Sequence, residues 1–236
     1  MKKLLVFFFL GFLAVPTIAV AQQMMIGARG GVNFANQQVD QNYNMGESFS
    51  IRLGLLAGGQ FDYLIGQTTA LSAQLLFDQK GTHSELERPI NGIYFGPEPT
   101  VVVADWTASY LEIPILMKLY SSTLSPRFYV FAGPSIGFLL SNTEKVSNGG
   151  YYSYPGNSYG PGTTVNITDS TAKIDLSIVV GVGFSTTLSS GLQLFLDASY
   201  AYGLINNDNY KSDQQNGISV YSRDIRLAAG VLFPIQ

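Results

Sequence analysis

Cysteine is absent from the chain. Its absence excludes a disulfide scaffold, a thiolate zinc site and a lipid-modified N-terminal cysteine. A single histidine, His83, leaves metal catalysis short of ligands. Charge is scarce too: 12% of the 236 residues are charged, against roughly 25% in an average soluble domain. The basic residues are in the minority, 13 Lys and Arg against 16 Asp and Glu, so there is no surplus to neutralise nucleic-acid phosphates. A content of 46% hydrophobic residues is too high for a disordered chain. Beyond residue 21 no apolar run reaches the length of about 18 that a membrane helix needs.

What is present leans towards β-structure. The chain has 25 Gly, 14 Tyr and 15 Phe, a mixture that suits strands joined by tight turns. Residues 1–21 read as a secretory signal peptide. Lys2 and Lys3 precede the apolar run Leu4–Leu13, and Ala19-Val-Ala21 has the small-x-small form of a cleavage site. Removing it takes two positive charges from a chain whose formal net charge is −3. The expected mature domain is 22–236.

Eight segments of that domain alternate apolar and polar residues. They lie at about Met24–Ala35, Phe49–Tyr63, Thr69–Thr82, Asp105–Tyr120, Arg127–Leu140, Ala172–Leu188, Leu192–Ile205 and Tyr221–Phe233. In the fourth, Leu111, Ile113, Ile115, Met117 and Leu119 oppose Tyr110, Glu112 and Lys118. Strand side chains alternate between faces, so each segment carries one continuous apolar face. The connections alternate as well. Asn36–Ser48, Gly81–Ala104, Ser141–Thr171 and Asn206–Val220 are long; Leu64–Thr68, Ser121–Pro126 and Ser189–Gly191 are short. Outer-membrane barrels combine short periplasmic turns, long extracellular loops and an even strand count. The sequence therefore predicts an all-β fold, an eight-stranded antiparallel up-and-down transmembrane β-barrel.

The polar faces decide which side of the barrel is apolar. They carry Arg29, Arg52, Asp62, Asp78, Lys80, Glu112, Lys118, Lys173, Asp175, Asp197, Asp224 and Arg226, spaced among Gly, Ser and other small residues. Such a face suits a narrow interior where opposite charges pair, whereas a solvated exterior is denser in charge. The apolar faces then meet lipid, where a midplane Arg or Lys costs roughly 2–4 kcal/mol. Eight strands enclose a lumen just wide enough for side chains, so the twelve charges are read as a structural filling, with an ion path as the alternative. Tyr63, Tyr120, Phe128, Tyr200, Tyr202 and Phe233 near the strand ends are candidates for aromatic girdles.

Tyr110-Leu-Glu-Ile-Pro-Ile-Leu-Met-Lys-Leu-Tyr120 resembles the fourth strand of the eight-stranded outer-membrane barrel proteins of the Bacteroidetes, the PorT or porin family. Gly133-Pro-Ser-Ile-Gly137 resembles their fifth strand and Gly27-Ala-Arg-Gly-Gly-Val-Asn33 their first. The resemblance implies a multi-pass barrel in the outer membrane of a Gram-negative cell. It says little about activity, and the founding member's link to protein secretion does not transfer to this chain.

Other candidates for chemistry are weak. His83-Ser84 sits where some barrels carry a rim hydrolase, but adjacent strand residues point to opposite faces. Glu85 and Glu87 read as loop solvation. Asn206–Asn209 with Asp213 offers oxygen ligands without a calcium-loop pattern. Asn166-Ile-Thr168 is an accidental glycosylation match. Tyr151, Tyr152, Tyr154 and Tyr159 lie in a Gly- and Ser-rich stretch whose composition suits an adaptable contact surface. The expectation is a monomeric, non-enzymatic barrel with no cofactor, no metal and no nucleic-acid partner. It would be surrounded by outer-membrane lipid, with a surface partner reached through residues 141–171. A small ion channel, a rim-located lipid hydrolase and a secretion-associated barrel are the alternatives.

Overall fold

The computed structural model describes residues 23–39, 47–87, 101–148, 151–153, 157–159, 161–207 and 219–235. The predicted signal segment therefore lies outside the described residues, as do Tyr154 and 208–218. Eight long strands account for most of the rest: β1 (Met24–Val39), β3 (Arg52–Leu64), β4 (Thr69–Glu87), β5 (Val101–Tyr120), β6 (Arg127–Asn148), β10 (Ile174–Thr187), β11 (Gln193–Gly203) and β12 (Val220–Ile235). Short strands β2 (Glu47–Ser50), β7 (Tyr151–Ser153), β8 (Asn157–Tyr159) and β9 (Thr164–Asn166) lie in the long connections, with one 3₁₀ turn at Thr168–Ser170.

Each long strand pairs antiparallel with the next long strand in the chain, and the pairing of the first with the last closes the ring. β1 pairs with β12 in the register Met24↔Ile235 to Val39↔Val220. β6 pairs with β10 across the longest connection, from Phe138↔Ile174 to Arg127↔Ser185. Eight strands thus follow one another up and down around a closed circuit. Closure satisfies the backbone groups that an open sheet leaves at its edges.

The alternation read from the sequence becomes two surfaces. One side of the ring is buried and polar or aromatic. The other is apolar and exposed: Leu55 is 60% exposed, Val182 59%, Leu196 60% and Phe128 66%. Large contiguous apolar exposure of this kind marks a surface that meets something other than water. No described helix is long and apolar enough to cross a membrane, which says nothing of a β-barrel.

The strands run further than the alternation predicts. β4 continues past Thr82 to Glu87, β5 starts at Val101, and β6 continues past Leu140 to Asn148. The β3 pairing releases β4 above Asp78, and the β10 pairing releases β6 above Phe138. β4, β5 and β6 stay paired above those points as a free wall. β2 pairs on the β4 edge of this wall and β9 on its β6 edge. The expected long loops Gly81–Ala104 and Ser141–Thr171 are correspondingly shorter. The apolar signal ends early because the outward positions above Phe77 are Gln79, Gly81, His83 and Glu85, which have no reason to be apolar.

At the end with the short turns, inward aromatics fill the ring. Tyr129 lies between Tyr120 and Phe131, at centroid distances of 5.4 and 5.9 Å. Inward glycines on the facing strands leave room for them. A Cβ on Gly181 would lie 2.3 Å from Phe131 Cζ and 2.7 Å from the Ala198 carbonyl oxygen. Overpacking of this kind costs about 1–3 kcal/mol. The variant Gly181→Ala is expected to lower the urea midpoint of the protein folded in detergent micelles; an unchanged midpoint would show that the packing can yield.

Candidate functional site: a charged plug inside the ring

Ten of the twelve charged residues assigned to the polar faces are buried inside the ring: Arg29, Asp62, Asp78, Lys80, Glu112, Lys118, Asp175, Asp197, Asp224 and Arg226. Strand parity turns each of them inward, and the ring brings together residues far apart in the chain. They form two layers.

The layer nearer the short turns is balanced. Arg29 Nη2 is 2.8 Å from Asp197 Oδ1, and Lys118 Nζ is 2.8 Å from Asp62 Oδ2. Uncharged groups complete the set: Arg29 donates to Gln60 Oε1 at 3.1 Å, Gln60 Nε2 donates to Asp62 at 3.1 Å, and the Tyr129 hydroxyl donates to Asp197 Oδ2 at 3.1 Å. Lys118 also faces the rings of Tyr129 and Phe195, 5.3 and 5.7 Å from their centroids.

The layer nearer the long connections holds two cations and four carboxylates. Lys80 Nζ lies against Glu112 and Asp175, at 2.5 and 2.6 Å, and 3.5 Å from Asp224. Arg226 Nη2 is 2.7 Å from Asp78, 2.9 Å from Glu112 and 3.7 Å from Asp224. Asn33 Nδ2 donates to Asp78 Oδ1 at 2.9 Å. Asp224 makes no hydrogen bond through either carboxylate oxygen, so it is held only by the longer contacts to the two cations.

The other two make no buried ion pair among the described residues. Lys173 is not a lumen charge: its side chain is 54% exposed and its Nζ donates to the Thr168 carbonyl at 2.7 Å and to Asp169 at 3.1 Å. β10 begins at Ile174, so strand parity does not reach Lys173. Arg52, at the start of β3, shares the inward parity of Gly54 and Leu56 and is half-buried, but forms no ion pair among the described residues. Tyr120 is a further correction. It points into the ring, 6% exposed, with the Arg127 guanidinium stacked 3.7 Å from its ring centroid, and belongs to no outer girdle. Arg127, which shares the inward parity of Tyr129, is not among the twelve. Phe128, Tyr202 and Phe233 do face outward, 66%, 46% and 54% exposed.

His83 lies on the free wall, above the apolar surface. Its Nδ1 is 2.8 Å from Asp105 Oδ1 and its Nε2 is 3.5 Å from Glu85. Ser84 is turned inward and 3% exposed, on the opposite face from His83. Ser147 Oγ donates to Asp105 at 3.3 Å, so the acid stands between that serine and the imidazole rather than behind the imidazole. Ser147 is thus bonded to the acid. Tyr151–Ser153 and Asn157–Tyr159 pair antiparallel as a separate two-stranded sheet. Among the described residues no group of three or more His, Cys, Asp or Glu is placed to hold a metal ion.

The profile of the family described as "Outer membrane protein beta-barrel domain" matches residues 20–209. The chain belongs to that family, which places it in the bacterial outer membrane. Solved structures include three of similar length. Neisserial surface protein A is 16% identical, covering 89% of this chain and 97% of its own, with a TM-score of 0.40. The attachment invasion locus protein Ail of Yersinia pestis is 14% identical, covering 89% and 98%, with a TM-score of 0.42. The outer membrane protein OprG of Pseudomonas aeruginosa is 10% identical, covering 92% and 97%, with a TM-score of 0.46. No curated protein sequence matches the chain.

Two outcomes follow from these contacts. Removing one partner of a buried ion pair leaves the other uncompensated, at a cost of about 3–5 kcal/mol. Lys118→Ala should lose stability on that scale in urea titrations, and Asp62→Asn in the same chain should recover part of it; additive losses would mean that the pair is not coupled. The hydrogen bond to Asp105 raises the His83 pKa above the ordinary 6.5, and the protonated form is the one favoured by folding. Its contribution is complete below about pH 6.5 and fades as the pH rises through the folded value. Imidazole NMR titration should show a midpoint above that of free histidine, falling back in Asp105→Asn.

Proposed function

We propose that the chain crosses the outer membrane on its eight ring strands as a barrel sealed by its own side chains, and that it acts through what it presents at the end with the long connections. The observation that carries this reading is the pairing of an apolar exterior with an interior filled by buried ion pairs. A tilted spanning strand needs about 9–11 residues, and the shortest ring strand, β11, has 11. Export by the Lys2–Ala21 segment fits this destination.

The role is structural or one of contact, not enzymatic. The wall of β4, β5 and β6 and the connection Ser141–Thr171 supply the outer surface for a partner, with Tyr151, Tyr152, Tyr154 and Tyr159 as contact residues. The motif Tyr110–Tyr120 favours the Bacteroidetes PorT-type branch of such barrels. One observation favours a second reading, a small cation channel: the upper layer has two more carboxylates than cations.

Recording in planar bilayers separates the two. The sealed barrel is expected to give no stable conductance steps, while its gel mobility differs between boiled and unboiled samples. Cation-selective steps altered by Asp224→Asn would replace the sealed reading with the channel. A soluble protein with no heat-dependent mobility would overturn both.

A further inference from the structure

The outer face of the ring strands carries no Asp, Glu, Lys or Arg among the described residues from the short turns up to the row of Tyr202. The first charge above that belt on β12 is Arg223, directly across from Tyr202 on β11. Its guanidinium stacks 3.8 Å from the Tyr202 ring centroid and lies 5.5 Å from that of Tyr221. Nε donates to Gln38 Oε1 at 3.0 Å, and Nη1 donates to the carbonyls of Gly203 and Ser222 at 3.0 and 2.7 Å. These bonds hold the group in one orientation, while Nη2 makes no hydrogen bond to a described residue. A fixed guanidinium with a donor that no described residue uses suits a phosphate oxygen.

Immediately below lies an open apolar groove of about 700 Å³. Met117, Ala132, Val180, Tyr200 and Ile225 form one row of paired residues along it, and Ala198 lies in the next row. The small side chains of Ala132 and Ala198 form its floor between larger neighbours. Ile225 is two residues from Arg223, about 7 Å along the strand. A polar, cationic head position thus stands over the β12 end of an apolar trough that runs across the strands to β5.

We propose that Arg223, with Tyr202, Tyr221 and Gln38, seats the phosphate of an anionic membrane lipid whose acyl chain lies in the groove beneath. The proposal rests on the membrane-spanning reading above. The occupant follows from charge complementarity at the head and apolarity along the tail. Free inorganic phosphate shares the head chemistry but leaves the groove empty.

The test uses the full mature chain in phosphatidylcholine vesicles containing a minor fraction of phosphatidylglycerol. Lipids retained after detergent extraction are counted by native mass spectrometry. Wild type should retain phosphatidylglycerol preferentially, and Arg223→Gln should reduce that preference about five-fold, the worth of one cation near a charged headgroup. Ala198→Leu, which fills the groove and leaves Arg223 in place, should reduce it as well. Both variants should keep their heat-dependent gel mobility, which reports a folded barrel. An unchanged preference in either variant overturns the proposal. So does a thermal shift produced by inorganic phosphate alone in pure phosphatidylcholine and lost in Arg223→Gln, which would make the site one for a soluble anion. A wild-type chain that does not enter vesicles removes the membrane reading, and this proposal with it. A chain that enters without lipid preference removes only the proposal.

Discussion

Four cations and six carboxylates of the described residues are held in ion-pair contact, out of water, inside this ring, and the architecture depends on keeping them so. An unpaired charge in such a place costs several kcal/mol, comparable to the net stability of many domains. The constraint fixes the register. A slip of one residue in any ring strand would turn its charges onto the apolar face and its Leu, Ile and Val into the polar interior. It also fixes closure, because Arg29 on β1 meets Asp197 on β11 and Lys80 on β4 meets Asp175 on β10 only when the sheet has come round on itself. The aromatic stack of Tyr120, Tyr129 and Phe131 fills the end where the charge ladder stops.

The two layers differ in a way that bears on the interior field. Near the short turns the two ion pairs balance, and Arg127 is left to the aromatic face of Tyr120. Towards the long connections Lys80 and Arg226 each serve three carboxylates, and Asp224 is left to the edge of both cations. The interior therefore becomes more negative along its length.

Much of this was legible in the sequence because strand parity is a strict code. Glu112 and Lys118 sit six residues apart between alternating Leu, Ile and Met, and a single strand is enough to turn them to one side. Parity did not say which charges meet. The Arg29–Asp197 contact spans 168 residues, and only ring closure creates it. Parity also failed at the strand ends. A strand predicted from Ala172 puts Lys173 with the interior, but the ladder takes hold only at Ile174. Tyr120 was assigned to the girdle by its chemistry, although its own spacing from Lys118 placed it inside. The upper halves of β4, β5 and β6 carry no strand signal, because alternation is visible only while one face is apolar.

The wall that those upper halves build has an unusual border. A sheet standing free of its ring exposes two rows of unpaired amides and carbonyls, each able to recruit a strand from another copy of the chain. Here the β4 side is occupied by the four residues of β2 and the β6 side by the three residues of β9. What remains for a neighbour to pair with is a segment shorter than a typical strand on either flank. In the crowded plane of a membrane, where copies of one protein meet edge to edge, these two short strands act as hem stitches that keep the wall from being sewn to the next one.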